Sequence, residues 1–302
     1  MNGPHPNPHE RREVRDLLAF SRSICPDFEM ERVLQRTGKS LLIAGTFRGE
    51  PAVAKLLTDR GAFWQTRFLH EIEFYRAIQE GDPPIRIPQL LHADNPNLMM
   101  IQELLPGEPM ADARHPSKPV DLQGFRALLN TLPALHAWMP WPTPDPETIV
   151  LDYENRLAKH LQRGFLSPED VDRGIRLLHS ISWTPEFNHG DLLLTNCLFD
   201  TVQQRIALID WEYAGYLVPG YDLALLYTLS LHDENQHAMI TRVVQESGEK
   251  GSALFLVNLL ILLARETHNL RELQHIDLLR SRTTLVTTEL EQTRHLLHAR
   301  FK

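Results

Sequence analysis

Only two cysteines, Cys25 and Cys197, occur in 302 residues. Two thiols make neither a disulfide framework nor a four-thiolate zinc site, so the expected home is a reducing cytoplasm. The opening stretch MNGPHPNPHERREVRD lacks the apolar run that a secretory signal needs. The longest apolar run, LFLVNLLILLA at 254–264, contains Asn258 and is too short to span a bilayer, so it reads as a buried core helix. Positive charge is scarce: 31 Lys and Arg stand against 39 Asp and Glu, for a formal charge of −8. That balance excludes a nucleic-acid partner, because a phosphate backbone is held by clustered basic residues. It suits a cationic small molecule instead. Repeats and low-complexity tracts are also missing.

With 42% apolar residues the chain can bury a substantial core, and its length suggests two lobes. The segment 1–30 is expected to be flexible, with a short helix in REVRDLLAFSRSI. From 31 to 57, three strand-like runs (ERVLQRTG, KSLLIAGTF and EPAVAKLL) are separated by the turn signals GK and RGE, which predicts a three-stranded meander. FWQTRFLHEIEFYRAIQE, 63–80, places Phe68, Ile72 and Tyr75 on one helical face. NLMMIQEL then reads as a buried strand, and LPGEPM, 105–110, as a boundary between lobes. Beyond it, helices are expected at about 121–138, 152–163, 168–180, 222–231, 236–247, 252–269 and 282–299. Ser167-Pro168 marks one helix start as cap and first helical position. Two strand-like runs, NCLFD and RIALID, interrupt the helices near 196–210. The expected fold is α+β and bilobal: a small antiparallel-sheet lobe at 31–104 and a larger, mainly helical lobe at 105–302.

The chemistry-bearing residues cluster in NHGDLLLTN, 188–196, and IALIDWEYAG, 206–215. A hairpin through NCLFD and RIALID would bring Asp191, Asn196 and Asp210 together. Such a set suits phosphoryl transfer. Asp191 would accept the attacking hydroxyl's proton, while the Asn196 amide oxygen and the Asp210 carboxylate would hold Mg²⁺ against nucleotide phosphates. The same chemistry needs a lysine on the third strand and a glutamate on the following helix. Lys55 and Glu71 stand there, Lys55 to neutralise phosphate oxygens and Glu71 to hold its ammonium. His189 reads as a loop-bracing residue, since the hydroxyl is already served by Asp191. Asp222 is expected to cap its helix and brace the same loop.

In these residues the chain resembles the aminoglycoside phosphotransferase and choline kinase superfamily, a branch of the protein-kinase-like fold. His189, Gly190, Asp191 and Asn196 match that family's H-G/N-D-x-x-x-x-N pattern. Asp210 in IDWE matches its metal-binding aspartate, and Asp222-Leu223-Ala224 its later helix start. The resemblance covers roughly 31–302 and implies ATP-dependent phosphorylation of a hydroxyl, with GTP left open as the donor. The chain departs from the pattern in two places. RTGKSLLIAG supplies only Gly38 and Gly45 where a glycine-rich phosphate loop would be expected. The flanks also point two ways, HGD resembling the aminoglycoside kinases and DWEYAGYLVPGYDLA the choline, ethanolamine and thiamine kinase branch.

QELLPGEP would offer backbone groups to a purine edge near Glu103 and Leu105. Trp211, Tyr213, Tyr216 and Tyr221 could form an aromatic cage for a quaternary ammonium or could simply pack in the core. Asp233, Glu234 and Glu266 could hold a cationic acceptor or serve as solvated helix-end charges. The favoured acceptor is a small, amino-bearing alcohol. A Ser or Thr hydroxyl on a peptide, or a catalytically silent nucleotide-binding scaffold, stays open.

Overall fold

The computed structural model of the protein describes residues 25–79, 81–116, 118–272 and 277–300. The helix expected in REVRDLLAFSRSI lies outside them. Two compact units divide the chain. The first runs to Asp82 and resumes over Ile87–Pro106; the second holds Pro83–Arg86 and the chain from Gly107 onward.

The first unit is a five-stranded antiparallel sheet in the order β1-β2-β3-β5-β4 with, among the described residues, one helix. Its elements are β1 (Phe28–Arg36), β2 (Ser40–Phe47), β3 (Glu50–Leu57), α1 (Ala62–Ile78), β4 (Leu90–Asp94) and β5 (Met99–Glu103). Arg48 and Gly49, both at positive φ, turn β2 into β3, as a two-residue hairpin loop requires. The expected meander is thus β1–β3. The fourth strand, LLHAD, escaped notice because it is short and mixed in polarity. Phe28, Leu41, Ile43, Phe47, Ala52, Ala54, Leu56, Met99 and Ile101 form one apolar cluster. α1 packs on β3 and β4 through a stripe that includes Phe68, Ile72, Tyr75 and Ile78.

The second unit is mainly helical. It contains β6 (Glu108–Pro109), α2 (Leu122–His136), α3 (Pro146–Gln162), α4 (Pro168–Ser180), β7 (Glu186–Asn188), β8 (Cys197–Asp200), β9 (Arg205–Leu208), β10 (Gly215–Leu217), α5 (Tyr221–Leu229), α6 (Glu234–Glu246), α7 (Gly248–Glu272) and α8 (Asp277–Ala299). α3 begins six residues before its expected start, because Asp145 caps it by accepting from the Glu147 N–H and Pro146 sits in its first turn. Helix α7 is the hub and touches α3, α4, α5, α6 and α8. By length and composition Gly248–Arg271 could cross a membrane, but 83% of its most apolar window is buried against the rest of the protein. Its Asn258 is reconciled with the core by bonds on both sides: Tyr153 donates to Oδ1 at 2.5 Å, and Nδ2 donates to the Pro219 carbonyl at 2.8 Å.

Ser167 does start α4, within a full capping box: its hydroxyl accepts from Asp170 N–H, and Asp170 accepts from Ser167 N–H at 2.8 Å. The buried Asp170 carboxylate also meets Arg294 at 3.0 Å and His298 at 3.2 Å, both on α8. One side chain therefore starts one helix and docks another. Asp170→Ala should lower unfolding free energy by about 2–4 kcal/mol, read as a shifted urea midpoint with an unchanged slope.

Candidate active site

The loop at 189–196 is strung between β7 and β8, which belong to different small sheets. β10 pairs with β7, placing Gly215 opposite Asn188, and β9 pairs with β8, placing Leu208 opposite Cys197. One residue further along the second hairpin, Ile209 N–H donates to the Asn196 carbonyl at 3.0 Å. Asp210 follows directly, so the hairpin sets Asn196 beside the start of the Asp210 segment. Asp210 has φ of +66°, a left-handed backbone that a non-glycine residue adopts at a cost.

Six polar interactions shape the loop. Asp222, fully buried on α5, accepts from His189 N–H at 2.7 Å and from Gly190 N–H at 2.9 Å. His189 is buried too; its Nε2 donates to the Ile209 carbonyl at 2.9 Å, and its Nδ1 faces the Asp191 N–H at 3.4 Å. Both ring nitrogens are thereby committed to the backbone. The Asp191 carbonyl accepts from Leu193 N–H at 2.7 Å and from Asn196 Nδ2 at 3.0 Å. With its amide nitrogen so engaged, Asn196 has its side-chain oxygen as the atom left for a cation. Asp191 itself is half-buried.

Asp222 braces this loop but does not cap its helix. The capping position of α5 falls to Gly220 at φ +84°, and no side chain caps there. Gly190 is needed twice over. Its φ is +79°, and a Cβ added there would lie 2.1 Å from the Tyr213 carbonyl oxygen.

In the first unit, Lys55 Nζ and Glu71 Oε2 form an ion pair at 2.6 Å, with both residues buried. Glu71 sits within the apolar stripe of α1, a place a glutamate occupies only when paired. Glu103 ends β5, and its N–H donates to the Gln89 carbonyl at 2.9 Å, which removes that group from ligand recognition. Leu105 is buried just beyond.

The tentative acceptor residues fare differently. Trp211 is fully buried, donates its indole N–H to the Leu208 carbonyl at 3.0 Å and lies 4.5 Å, ring to ring, from His189. It packs under the loop and leaves no face for a substrate, so of the two readings left open, cage or core, it takes the core. Tyr216 donates to the Trp141 carbonyl, Tyr221 is buried, and Tyr213 is half-buried with its backbone against Gly190. Asp233 caps α6, accepting from Asn235 N–H, Gln236 N–H and Gln236 Nε2. Glu234 is exposed in that helix's first turn.

Glu266 is buried, contrary to its reading as a solvated charge. Arg114 meets it at 2.8 Å and His115 at 2.8 Å. Burial works against its ionised form, yet the bonds from His115 and Arg114 hold the carboxyl well below the usual range. Arg114 was missed in the sequence, where ADARHP offered only a basic pair between the lobe boundary and the first helix expected beyond it. Cys197 is a buried apolar residue whose thiol is pushed up, first by burial and then by the charge of Asp222. A cavity of about 860 Å³ in this unit is lined by Leu129, Leu132, His136, Glu186 and Leu223 among others; Asp191, Asn196 and Asp210 do not line it.

Residues 46–254 match the phosphotransferase enzyme family (APH), and the chain belongs to that family. Its fold is the kinase-like fold of solved members. Aminoglycoside phosphotransferase APH(4)-Ia is similar with a TM-score of 0.62 at 13% identity, over 93% of this chain and 98% of that one. Macrolide 2'-phosphotransferase MphH from Brachybacterium faecium gives 0.59 at 14% identity, over 90% and 98%. The GDP and kanamycin complex of APH(2")-IIia gives 0.59 at 17%, over 93% and 98%. No match was found among curated proteins.

Two outcomes are expected from this geometry. Gly190→Ala should cost about 2 kcal/mol or more of stability and collapse the loop, seen as a lower melting temperature with at least a hundred-fold loss of turnover. Lys55→Ala strands a buried carboxylate and should cost about 3–5 kcal/mol. The double variant Lys55→Met, Glu71→Leu should recover much of that stability without recovering turnover.

Proposed function

We propose that the protein transfers the γ-phosphate of a purine nucleoside triphosphate to a hydroxyl of a small molecule. The acceptor hydroxyl oxygen attacks the γ-phosphorus while the bond to the β–γ bridging oxygen breaks and the nucleoside diphosphate leaves. The hydroxyl proton passes to the Asp191 carboxylate. The observation that carries this proposal is the state of Asn196: its Nδ2 is anchored to the Asp191 carbonyl at 3.0 Å, one loop thus presenting a carboxylate and an amide oxygen together.

Asn196 Oδ1 and the Asp210 carboxylate are hard oxygen donors, the type Mg²⁺ selects, so the residues fit that ion. When bound, Mg²⁺ would neutralise charge on the phosphate oxygens. Lys55 would pair with phosphate oxygens, its ammonium positioned by Glu71. His189 and Asp222 act only by holding the loop. Leu105 remains the candidate for contact with the purine edge. ADP and GDP occur in complexes of solved relatives, with APH(4)-Ia and APH(2")-IIia respectively, which supports a purine nucleotide and leaves ATP first by resemblance.

Hygromycin B and kanamycin occupy those same relatives and favour a small-molecule acceptor over a peptide. The narrower expectation of a cationic acceptor draws little support from local charge, because Asp233 and Glu266 are engaged within the protein.

Asp191→Ala should lower kcat by about 10²–10⁴-fold while the dissociation constant for Mg·ATP stays within about two-fold. The measurement is ADP formation across an acceptor panel, with titration of a non-hydrolysable ATP analogue. Full turnover by the variant would refute Asp191 as the base. Nucleotide binding by the wild type with no ADP from any acceptor would favour the scaffold alternative.

A further inference from the structure

The acceptor's charge can be read from the groups set around Asp191 rather than from net charge. Arg114 is the central one. The buried Glu266 carboxylate takes Nη2 of Arg114 at 2.8 Å and Nε at 3.4 Å, so the guanidinium is gripped along one edge. The Arg114 side chain is nevertheless 29% exposed, against 1% for Glu266. A carboxylate beneath an arginine, with the arginine's outer edge open, is an arrangement that presents a fixed fork to an anion. Burial opposes charge on Arg114, but Glu266, Asp191 and Tyr221 together raise its pKa, which places it within the field of the proposed base.

The loop that carries Arg114 is held from two helices. Glu266 of α7 also receives His115, and Arg282 of α8 donates to the Pro116 carbonyl at 2.6 Å and meets His232 at 3.0 Å. Arg114 and His115 thus share one carboxylate, and Arg282 holds the following residue.

A second, independent observation concerns Arg265. Its Nη1 lies 3.5 Å from the hydroxyl of Tyr221, while Nε and Nη2 are buried with no hydrogen-bond partner. Buried guanidinium N–H groups without an acceptor are costly and call for an anion or water to meet them. Arg156 lies 5.8 Å from the ring centre of the same Tyr221. Tyr221 is thus the common neighbour of Arg114, Arg156 and Arg265. Arg114 is paired with Glu266 and Arg156 with Asp152, while Arg265 has no carboxylate partner among the described residues.

We infer that the hydroxyl acceptor carries an anionic group, a carboxylate or a phosphate, bound by the exposed edge of Arg114. The inference rests on the phosphotransfer function proposed above and names the acceptor class for that site. The acid would be gripped by the guanidinium fork, leaving a hydroxyl elsewhere on the molecule to meet Asp191.

The test is a panel of hydroxyl compounds assayed with Mg·ATP for ADP release: glycerate and gluconate as carboxylates, glycerol 3-phosphate as phosphate, glycerol as neutral control, glucosamine and choline as cations. The acids should be turned over in preference, the favoured acid showing which anion fits. Arg114→Met should raise the KM for that acid about ten-fold or more while leaving the KM for Mg·ATP within two-fold; Arg114→Lys should restore part of the loss. Preferential turnover of the cations, or equal KM effects of Arg114→Met on acids and glycerol, would overturn the inference. If no acceptor yields ADP, calorimetric titration of the same acids decides it separately from catalysis. Binding lost in Arg114→Met sustains the anion site while the phosphotransfer function falls; no binding of any acid to the wild type overturns the site itself.

Discussion

Two backbone N–H groups, from His189 and Gly190, converge on the Asp222 carboxylate, and the geometry of the catalytic loop follows from that convergence. A buried carboxylate must be met by donors or it destabilises the fold. Asp222 meets that demand by drawing in a loop 32 and 33 residues away in sequence. Its own N–H is taken by Asn188 Oδ1 at 3.1 Å, so the strand before the loop is tied to the same helix start. With the loop's entry fixed, His189 can pin Ile209, and Ile209 can pin Asn196. Asp191, Asn196 and the start of the Asp210 segment are then positioned by backbone bonds, with the Asn196 amide nitrogen adding one to the Asp191 carbonyl.

The interior ions obey a common rule. Lys55 with Glu71, Glu266 with Arg114 and His115, and Asp170 with Arg294 and His298 each bury a carboxylate among hydrogen-bonding cations. Such pairs contribute little net stability, because desolvation offsets most of the Coulomb gain. Their effect is orientation: a paired ammonium or guanidinium cannot wander among rotamers. Lys55 and Arg114 are the two cases in which the oriented cation also belongs to a region argued to handle anions. Net charge gives no hint of either. A surplus of eight acidic groups coexists with these individually oriented cations, since screening confines each charge's influence to about 10 Å in ordinary salt.

Legibility varied with the range of the forces involved. The meander at β1–β3, the start of α4 and the hairpin at β8–β9 depend on neighbours within a few residues, and turn residues and caps announce them. The motif residues Asp191, Asn196, Asp210 and Asp222 were visible for the same reason: their spacing is short and their chemistry restrictive. β4, β7 and β10 were not visible. All are short; β4 is also mixed in polarity, and β7 and β10 exist because a distant partner supplies hydrogen bonds. Glu266 was misread, and Trp211 left open between cage and core, for a related cause. An aromatic residue beside an active-site motif, or an acid near a helix end, looks the same in sequence whether it faces solvent or the core.

The sequence by itself determined that this chain belongs with the phosphotransferases, because a carboxylate, an amide and a second carboxylate at set offsets encode one local task. It also determined the helical and strand texture, through periodicity and punctuation. Tertiary structure alone decided which charged groups are spent on the fold and which are presented outward. Glu266 and Arg114 lie 152 residues apart, and Lys55 and Glu71 on different elements. Burial and pairing are properties of the packed chain, and no stretch of residues carries them in advance.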